Sequence, residues 1–161
     1  MIEMQLVGVR VELPTNQPIV LLREAEGERF LPIFIGPVEA TAIAFALQGI
    51  VTPRPMTHDL LKTVLETVGV GVDRVVISEL RDATFFATLE MSRDGSTYSV
   101  SSRPSDAIAL AVRAQIPLFA ESDVLNEAGI LIRDEDQDED EIERFREFIE
   151  QVKPEDFGIE H

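Results

Sequence analysis

Residues 102–112, Ser102-Arg103-Pro104-Ser105-Asp106-Ala107-Ile108-Ala109-Leu110-Ala111-Val112, decide the fold. The proline keeps Arg103 extended, so a helix begins after it, with the Ser105 hydroxyl able to cap the helix and Asp106 in its first turn. The rest of the stretch is apolar on nearly every face, which is typical of a helix at the centre of a domain. The sequence therefore predicts a central helix whose N-terminus carries a guanidinium, a hydroxyl and a carboxylate.

A second helix start has the same layout at Arg54-Pro55-Met56-Thr57-His58-Asp59. Thr57 suits the capping position and Asp59 the first turn, and helical periodicity continues over about residues 57–68, before Gly69. The core face of this helix is predicted to carry Leu60, Leu61, Val64, Leu65 and Val68.

A third helix is predicted after Gly36. Pro37 suits the first helical position, and Glu39 falls in the first turn, where the helix dipole favours an anion. Apolar residues recur at helical spacing as far as Gly49, so this helix is expected to be mostly buried. If the three helix N-termini converge, they can hold a phosphate between them.

Strand patterns fill most of the remaining sequence. Pro32 lies inside an apolar run and cannot donate to a ladder, so we expect it at a sheet edge or a bulge. Asp94-Gly95 predicts a hairpin turn, and a brief helix is expected near residues 122–126. Because strands come in runs separated by helices, the sequence predicts an α+β fold, with a mixed, largely antiparallel β-sheet packed with two or three central helices. The predicted strands lie within residues 6–11, 19–22, 30–35, 72–80, 85–89, 98–100 and 117–120.

The net charge of −16 is unevenly distributed over the 161 residues. Residues 1–133 carry a net charge of −6, whereas residues 134–161 hold 13 acidic and 3 basic side chains. We therefore predict one domain over residues 1–133, followed over residues 134–161 by an acidic linker and an amphipathic C-terminal helix. That helix can dock on the domain, dock on a protein partner, or stay undocked until a partner binds. Even the domain lacks the basic excess of a duplex-binding surface, so any polyanion site must be local.

The chain contains no cysteine, which excludes disulfides, thiolate nucleophiles and Cys-ligated zinc. No apolar run reaches the roughly 18 residues that a membrane helix needs, and the N-terminus lacks the pattern of a signal peptide. We expect a cytoplasmic protein with no membrane partner.

Three stretches resemble the signature blocks of the bifunctional nuclease (BFN) domain family. They are Leu31-Pro32-Ile33-Phe34-Ile35-Gly36-Pro37-Val38-Glu39-Ala40, Arg54-Pro55-Met56-Thr57-His58-Asp59-Leu60-Leu61 and Ser102-Arg103-Pro104-Ser105-Asp106-Ala107-Ile108-Ala109-Leu110-Ala111. They occur in the order and spacing of that family, and the resemblance covers roughly residues 1–133. It implies an α+β domain that forms a homo-oligomer, with a dimer favoured, and that acts on DNA and RNA. The acidic residues 134–161 are not part of the family pattern.

Hydrolysis of a phosphodiester needs an activated water, stabilisation of charge on the phosphoryl oxygens and usually one or two divalent cations. His58 is the only histidine apart from His161, so it is the candidate general base or metal ligand. We expect Mg²⁺ or Mn²⁺ and no organic cofactor, since the sequence has no Gly-rich phosphate loop. The candidate catalytic residues are His58, Asp59, Glu39 and Asp106, the candidate metal ligands are Glu39, Asp59 and Asp106, and the candidate phosphate-binding residues are Arg54, Arg103, Thr57 and Ser105.

Each of these residues also has a structural interpretation. Thr57 and Ser105 are suited to capping alone, and the two arginines can pair with the aspartates or with Glu39. His58 can anchor a loop, because no second histidine or cysteine completes a ligand set. Two functions therefore remain open from the sequence. One is a divalent-metal-assisted nuclease, and the other is a non-catalytic regulatory or protein-binding module with an anion-binding site at paired arginines and helix N-termini.

Overall fold

The computed structural model describes residues 1–132, which form a single eight-stranded sheet and four helices. The predicted acidic linker and C-terminal helix, residues 134–161, lie outside the described residues. The strands are β1 (Ile2–Glu12), β2 (Gln17–Glu24), β3 (Arg29–Phe34), β4 (Gly71–Arg81), β5 (Thr84–Arg93), β6 (Ser96–Ser102), β7 (Leu118–Ala120) and β8 (Ile130–Leu131). The helices are α1 (Pro37–Leu47), α2 (Thr57–Thr67), α3 (Pro104–Ala114) and α4 (Ser122–Ala128).

The sheet is mixed, with the strand order β6-β5-β4-β7-β1-β2-β3-β8. Neighbouring strands are antiparallel except β4 and β7, which are parallel. A parallel pair needs a long return connection, and the chain supplies it through β5, β6 and α3. The predicted α+β class is therefore confirmed.

The hairpin turn and the edge proline lie where the sequence predicted them. Asp94 and Gly95 both have positive φ, 50° and 79°, as the tight turn of the β5–β6 hairpin requires. Pro32 pairs with β2 on one side, while β8 covers only Arg29 and Phe30 on the other side of β3. Pro32 therefore lies where β3 is an open edge among the described residues, as predicted. The two-residue strand β8 was not predicted, because two residues carry no readable alternation.

The central helix is α3, as predicted. It contacts α1, α2 and the strands β4 and β5, and most of its length is buried. α1 is also buried, and it packs on α3, β1 and β2. The buried residues of α3 are Pro104, Ser105, Ala107, Ile108, Ala109, Leu110 and Ala111. These two helices cover the sheet and form the main core with it.

The predicted core face of α2 is wrong except at Leu65, which is partly buried and packs against the core. Leu60, Leu61, Val64 and Val68 are exposed, and His58 is the one buried residue in the helix. The reason is that α2 packs mainly on α3, which already covers the sheet, so only a narrow strip of α2 is buried. An apolar helical stripe is thus left facing outward.

The predicted caps are also wrong, because each helix begins slightly earlier than a hydroxyl cap requires. Arg103 is the N-cap of α3, since the fixed φ of the proline that follows suits the first helical position and moves Ser105 to the second. Met56 is the N-cap of α2, and Thr57 is already helical. The Asp59 carboxylate accepts the Met56 backbone N–H at 2.9 Å, so the aspartate satisfies the donor that the threonine does not.

Candidate active site

The N-termini of α1, α2 and α3 converge on one small cleft of about 340 Å³, here called the His58 cleft. It is lined by Val38, Glu39, Ala42, Pro55, Met56, Thr57, His58, Arg103 and Asp106. The positive ends of the three helix dipoles meet there beside Arg103, and the carboxylates of Glu39 and Asp106 belong to the same lining.

Four side chains in this cleft form a continuous network, here called the four-residue network. His58 Nε2 lies 2.9 Å from Asp106 Oδ1. Arg103 donates two hydrogen bonds to the same carboxylate, from Nε to Oδ2 at 2.8 Å and from Nη2 to Oδ1 at 3.1 Å. Its remaining nitrogen, Nη1, donates to Glu39 Oε1 at 3.0 Å. Each of the three converging helices contributes to the network, so it exists only in the folded chain.

The Asp106 carboxylate is held in its ionised form. Desolvation by burial raises its pKa, but the hydrogen bonds from Arg103 and His58 outweigh this and lower the pKa below its ordinary value. The same partners act on Arg103, whose pKa is raised by the hydrogen bonds to Asp106 and Glu39. An ionised carboxylate can only accept, so His58 Nε2 carries the proton in the bond to Asp106. In the neutral imidazole, Nδ1 is then the unprotonated nitrogen.

Arg103 retains donors for a ligand. Its side chain is 64% exposed, and Glu39 and Asp106 accept three of the five N–H groups of a guanidinium. The other two have no partner among residues 1–132. A phosphate oxygen in the cleft can therefore bind Arg103 while the hydrogen bonds from Arg103 to Asp106 stay in place.

Gly36 fixes the position of Glu39. The Glu39 carboxylate folds back over the glycine, so that a methyl group added to Gly36 would collide with Oε2. In this position the other oxygen, Oε1, accepts from Arg103.

Asp59 lies in a different cluster from the four-residue network. Its Oδ1 accepts from Arg113 Nε at 2.7 Å, while Oδ2 accepts the Met56 N–H. Arg113 is buried and also donates to the backbone oxygens of Ala109 and Ala42, both at 2.9 Å. It thus ties α1, α2 and α3 together. Our sequence analysis missed Arg113, although a lone arginine in the apolar run of α3 was a sign that it would need a buried partner.

The remaining sequence candidates are dispersed. Thr57 lines the His58 cleft, and Ser105 lines a second, larger groove. Arg54 is exposed on the loop before α2 and belongs to neither lining. The paired arginine sites inferred from the sequence are therefore not equivalent in the fold, because Arg103 alone of the two lies in the four-residue network.

The three predicted metal ligands do not form a shared cation site in this arrangement. Arg103 lies between the carboxylates of Glu39 and Asp106 and binds both, and Asp59 is committed to Arg113. Over residues 1–132, no group of three or more His, Asp or Glu side chains is arranged to hold a metal ion. Mg²⁺ binding would require several oxygen ligands free of such cationic partners.

The second groove has a volume of about 730 Å³ and is here called the Phe34 groove. Glu39 and Arg103 line both it and the His58 cleft, so their ion pair forms the boundary between the two. The groove lies between the β1–β2 turn, the β3–α1 junction, the β4–β5 turn and the start of α3. Its lining is Thr15, Asn16, Gln17, Pro18, Ile33, Phe34, Ile35, Gly36, Pro37, Glu39, Ala83, Thr84, Phe85, Arg103, Pro104 and Ser105.

An α+β domain with a His-Asp-Arg network at three helix N-termini is the class that this fold and site define. Residues 20–133 match the family model described as Bifunctional nuclease domain. The chain belongs to the bifunctional nuclease domain family, as its three signature stretches predicted.

The chain is similar to proteins from bacteria and plants. The Mycobacterium tuberculosis (strain ATCC 25618 / H37Rv) protein named Uncharacterized protein Rv1829 is 46% identical over 162 residues, which cover 96% of this chain and 97% of that protein. Bifunctional nuclease 1 of Oryza sativa subsp. japonica is 30% identical over 106 residues, 64% of this chain and 32% of the plant protein. Bifunctional nuclease 2 of Arabidopsis thaliana is 30% identical over 112 residues, which cover 66% of this chain and 34% of the plant protein. This chain thus matches about one third of the length of each plant protein.

None of the helices within residues 1–132 combines the length and apolar character needed to cross a bilayer.

Proposed function

We propose that this chain hydrolyses phosphodiester bonds of DNA or RNA at the four-residue network. The observation that carries the proposal is the Asp106 carboxylate, which binds a histidine on one side and an exposed arginine on the other. A general base and a phosphate-binding cation are thereby held by one group, as phosphoryl transfer requires.

His58 has the role of general base. Its Nε2–H is fixed by Asp106, so the neutral imidazole offers Nδ1 to a water. As the water oxygen bonds to phosphorus, Nδ1 takes its proton, the P–O bond to the leaving sugar oxygen breaks, and solvent protonates that oxygen. The His58 side chain is mostly buried but lines the cleft, and its position is therefore set by packing. General-base catalysis of this kind contributes about 10²- to 10⁴-fold in rate.

Arg103 has the role of phosphate ligand. It stays charged, it is exposed, and its two remaining N–H groups can donate to the non-bridging phosphoryl oxygens. Charge that develops on those oxygens during attack is stabilised by the guanidinium and by the adjoining helix N-termini. Glu39 and Asp106 hold Arg103 in place, so they are positioning residues in this mechanism.

The family relationship supports the choice of nucleic acid as substrate. The plant relatives are named bifunctional nucleases, and the family model spans most of the described domain. Mg²⁺ or Mn²⁺ dependence stays a prediction from the sequence.

The direct test is cleavage of single-stranded DNA, double-stranded DNA and RNA by the purified full-length chain, each with Mg²⁺, with Mn²⁺ and with EDTA. Cleavage that His58→Ala abolishes, and that His161→Ala leaves unchanged, supports the proposal. His161→Ala is a matched control because it removes the only other histidine. Equal cleavage by wild type and His58→Ala would contradict it.

A non-catalytic anion-binding module is the second candidate function. The observation that favours it is that Asp59 and Asp106 each bind an arginine, which leaves neither carboxylate free of a cationic partner. On this alternative, Arg103→Ala reduces binding of a labelled oligonucleotide while no substrate is cleaved under any of the three metal conditions.

A further inference from the structure

Phe34 is a half-exposed aromatic side chain that lines the Phe34 groove. Its neighbours Ile33 and Ile35 are buried, so strand alternation turns Phe34 outward at the end of β3, where it is 52% exposed. Unlike the exposed Leu131 on β8, it lies in a concave lining that also contains Arg103.

The groove combines an aromatic face with neutral hydrogen-bonding groups. Asn16, Gln17 and Thr84 line it together with Phe34 and contribute amide and hydroxyl side chains. Aromatic faces stack on unpaired bases of any sequence, and amides can bind the exposed edges of such bases. The groove volume of about 730 Å³ is within the range of small-ligand sites.

The charge of the groove limits how much nucleic acid it can bind. Arg103 is the one basic residue in this lining, and Glu39 lies beside it. Duplex binding relies on many phosphate contacts made by a basic surface, whereas residues 1–133 carry a net charge of −6. One phosphate contact combined with one stacked base suits an unpaired strand.

We propose that the Phe34 groove binds the base and sugar of an unpaired nucleotide, with Phe34 stacked on the base and Arg103 on the adjoining phosphate. The substrate class is therefore single-stranded nucleic acid. This inference rests on the proposed function for its choice of ligand. Because Arg103 forms the boundary with the His58 cleft, a phosphate bound to it lies next to the candidate general base.

Fluorescence anisotropy of a short fluorescein-labelled single strand, compared with the duplex of the same sequence, tests the inference. The full-length chain carries His58→Ala in every sample and EDTA is present, so binding is measured apart from cleavage. We expect the single strand to bind more tightly than the duplex. Phe34→Leu should weaken single-strand binding about tenfold, because leucine keeps apolar bulk but has no ring face.

Two further variants complete the design. Phe34→Trp should retain single-strand affinity, and Leu131→Ala, at an exposed apolar residue outside the groove, should not change it. Circular dichroism confirms that each variant is folded. Unchanged affinity in Phe34→Leu, or equal affinity for duplex and single strand, would overturn the inference. If the wild-type chain cleaves no substrate but binds the single strand in a way that depends on Phe34, the nuclease proposal fails. The inference that the Phe34 groove binds an unpaired nucleotide would still be supported.

Discussion

His58 Nε2 and Asp106 Oδ1 are 2.9 Å apart, although 48 residues separate them in sequence. They lie in the first turns of α2 and α3, so the contact depends on how these two helices pack. The contact joins two of the three stretches that identify the family. Since Arg103 and Glu39 complete the network, the third stretch is joined as well.

Asp106→Asn should lower the cleavage rate by about 10²-fold or more, since the amide is uncharged and its nitrogen cannot accept the Arg103 Nε–H that Oδ2 accepts. Initial rates on a labelled oligonucleotide measure the effect. The double variant with His58→Ala should lose less than the product of the two single losses, because part of the Asp106 effect acts through His58. Asp123→Asn, at an exposed position in α4, is the control, and losses that multiply in the double variant would contradict the coupling.

The stabilisation provided by Asp106 should disappear in acid. The folded-state pKa of Asp106 is lowered, so its ion pair contributes fully at pH values above the ordinary aspartate pKa of about 4 and is lost as the pH falls through the folded-state value. Urea unfolding of wild type and Asp106→Asn should therefore differ at pH 7 and converge as the pH falls below the ordinary aspartate range. A difference that persists unchanged in acid would rule out this ionisation as its source.

Gly36→Ala should affect the site through Glu39. The new methyl group displaces the Glu39 carboxylate and weakens its hold on Arg103, while the backbone at Gly36 is extended and tolerates alanine. We expect cleavage rate and oligonucleotide affinity to change as they do in Glu39→Ala, with no further change in the double variant. Gly71→Ala is the matched control because a methyl group there makes only ordinary contacts. Independent effects of the two substitutions would refute the link.

Arg113→Met should destabilise the fold by about 2 kcal/mol, because it removes a buried guanidinium that binds α1 and α2 from α3. Asp59 is 41% exposed and solvent screens its ion pair, so the bond to the Ala42 oxygen carries much of this effect. Chemical denaturation measures the change. Arg93→Met, at an exposed ion pair, should shift stability by less than about 0.5 kcal/mol. Equal stabilities of the two variants would assign Arg113 no structural role.

The outward apolar stripe of α2 is the surface through which we expect a second copy of the chain to bind. Leu60, Leu61, Val64 and Val68 are exposed on it, and adjoining apolar residues of this kind mark association surfaces. Light scattering should report a dimer for wild type and a monomer for Val64→Glu. Leu131→Glu, on β8, should remain dimeric. A monomeric wild type, or a dimer that survives Val64→Glu, would exclude this interface.

Much of the fold was predictable because local chemistry and tertiary packing agree. Proline at the start of α1 and α3, the Asp94-Gly95 turn and the apolar run of α3 each carry a local signal that the structure confirms. From the sequence, convergence of the three helix N-termini was only a condition for phosphate binding, and the structure brings Glu39, His58 and Asp106 together. Family resemblance set the order of these stretches but not their distances.

The errors have physical causes that lie outside local sequence. An apolar stripe such as that of α2 does not reveal whether a sheet, a helix or a partner will cover it. Asp59 and Asp106 occupy equivalent helical positions, yet Arg113 binds one and Arg103 the other, and this depends on how α3 packs. Side-chain partners 54 residues apart cannot be read from the spacing of either motif.

The claim that His58 is the general base is tested by the initial rate of cleavage of a labelled single-stranded oligonucleotide by wild type, His58→Ala and Arg93→Ala. Arg93 lies at the far end of β5 from the Phe34 groove, so it controls for loss of surface charge. We predict a loss of about 10²- to 10⁴-fold in His58→Ala and none in Arg93→Ala. A folded His58→Ala variant that cleaves at the wild-type rate would contradict the claim.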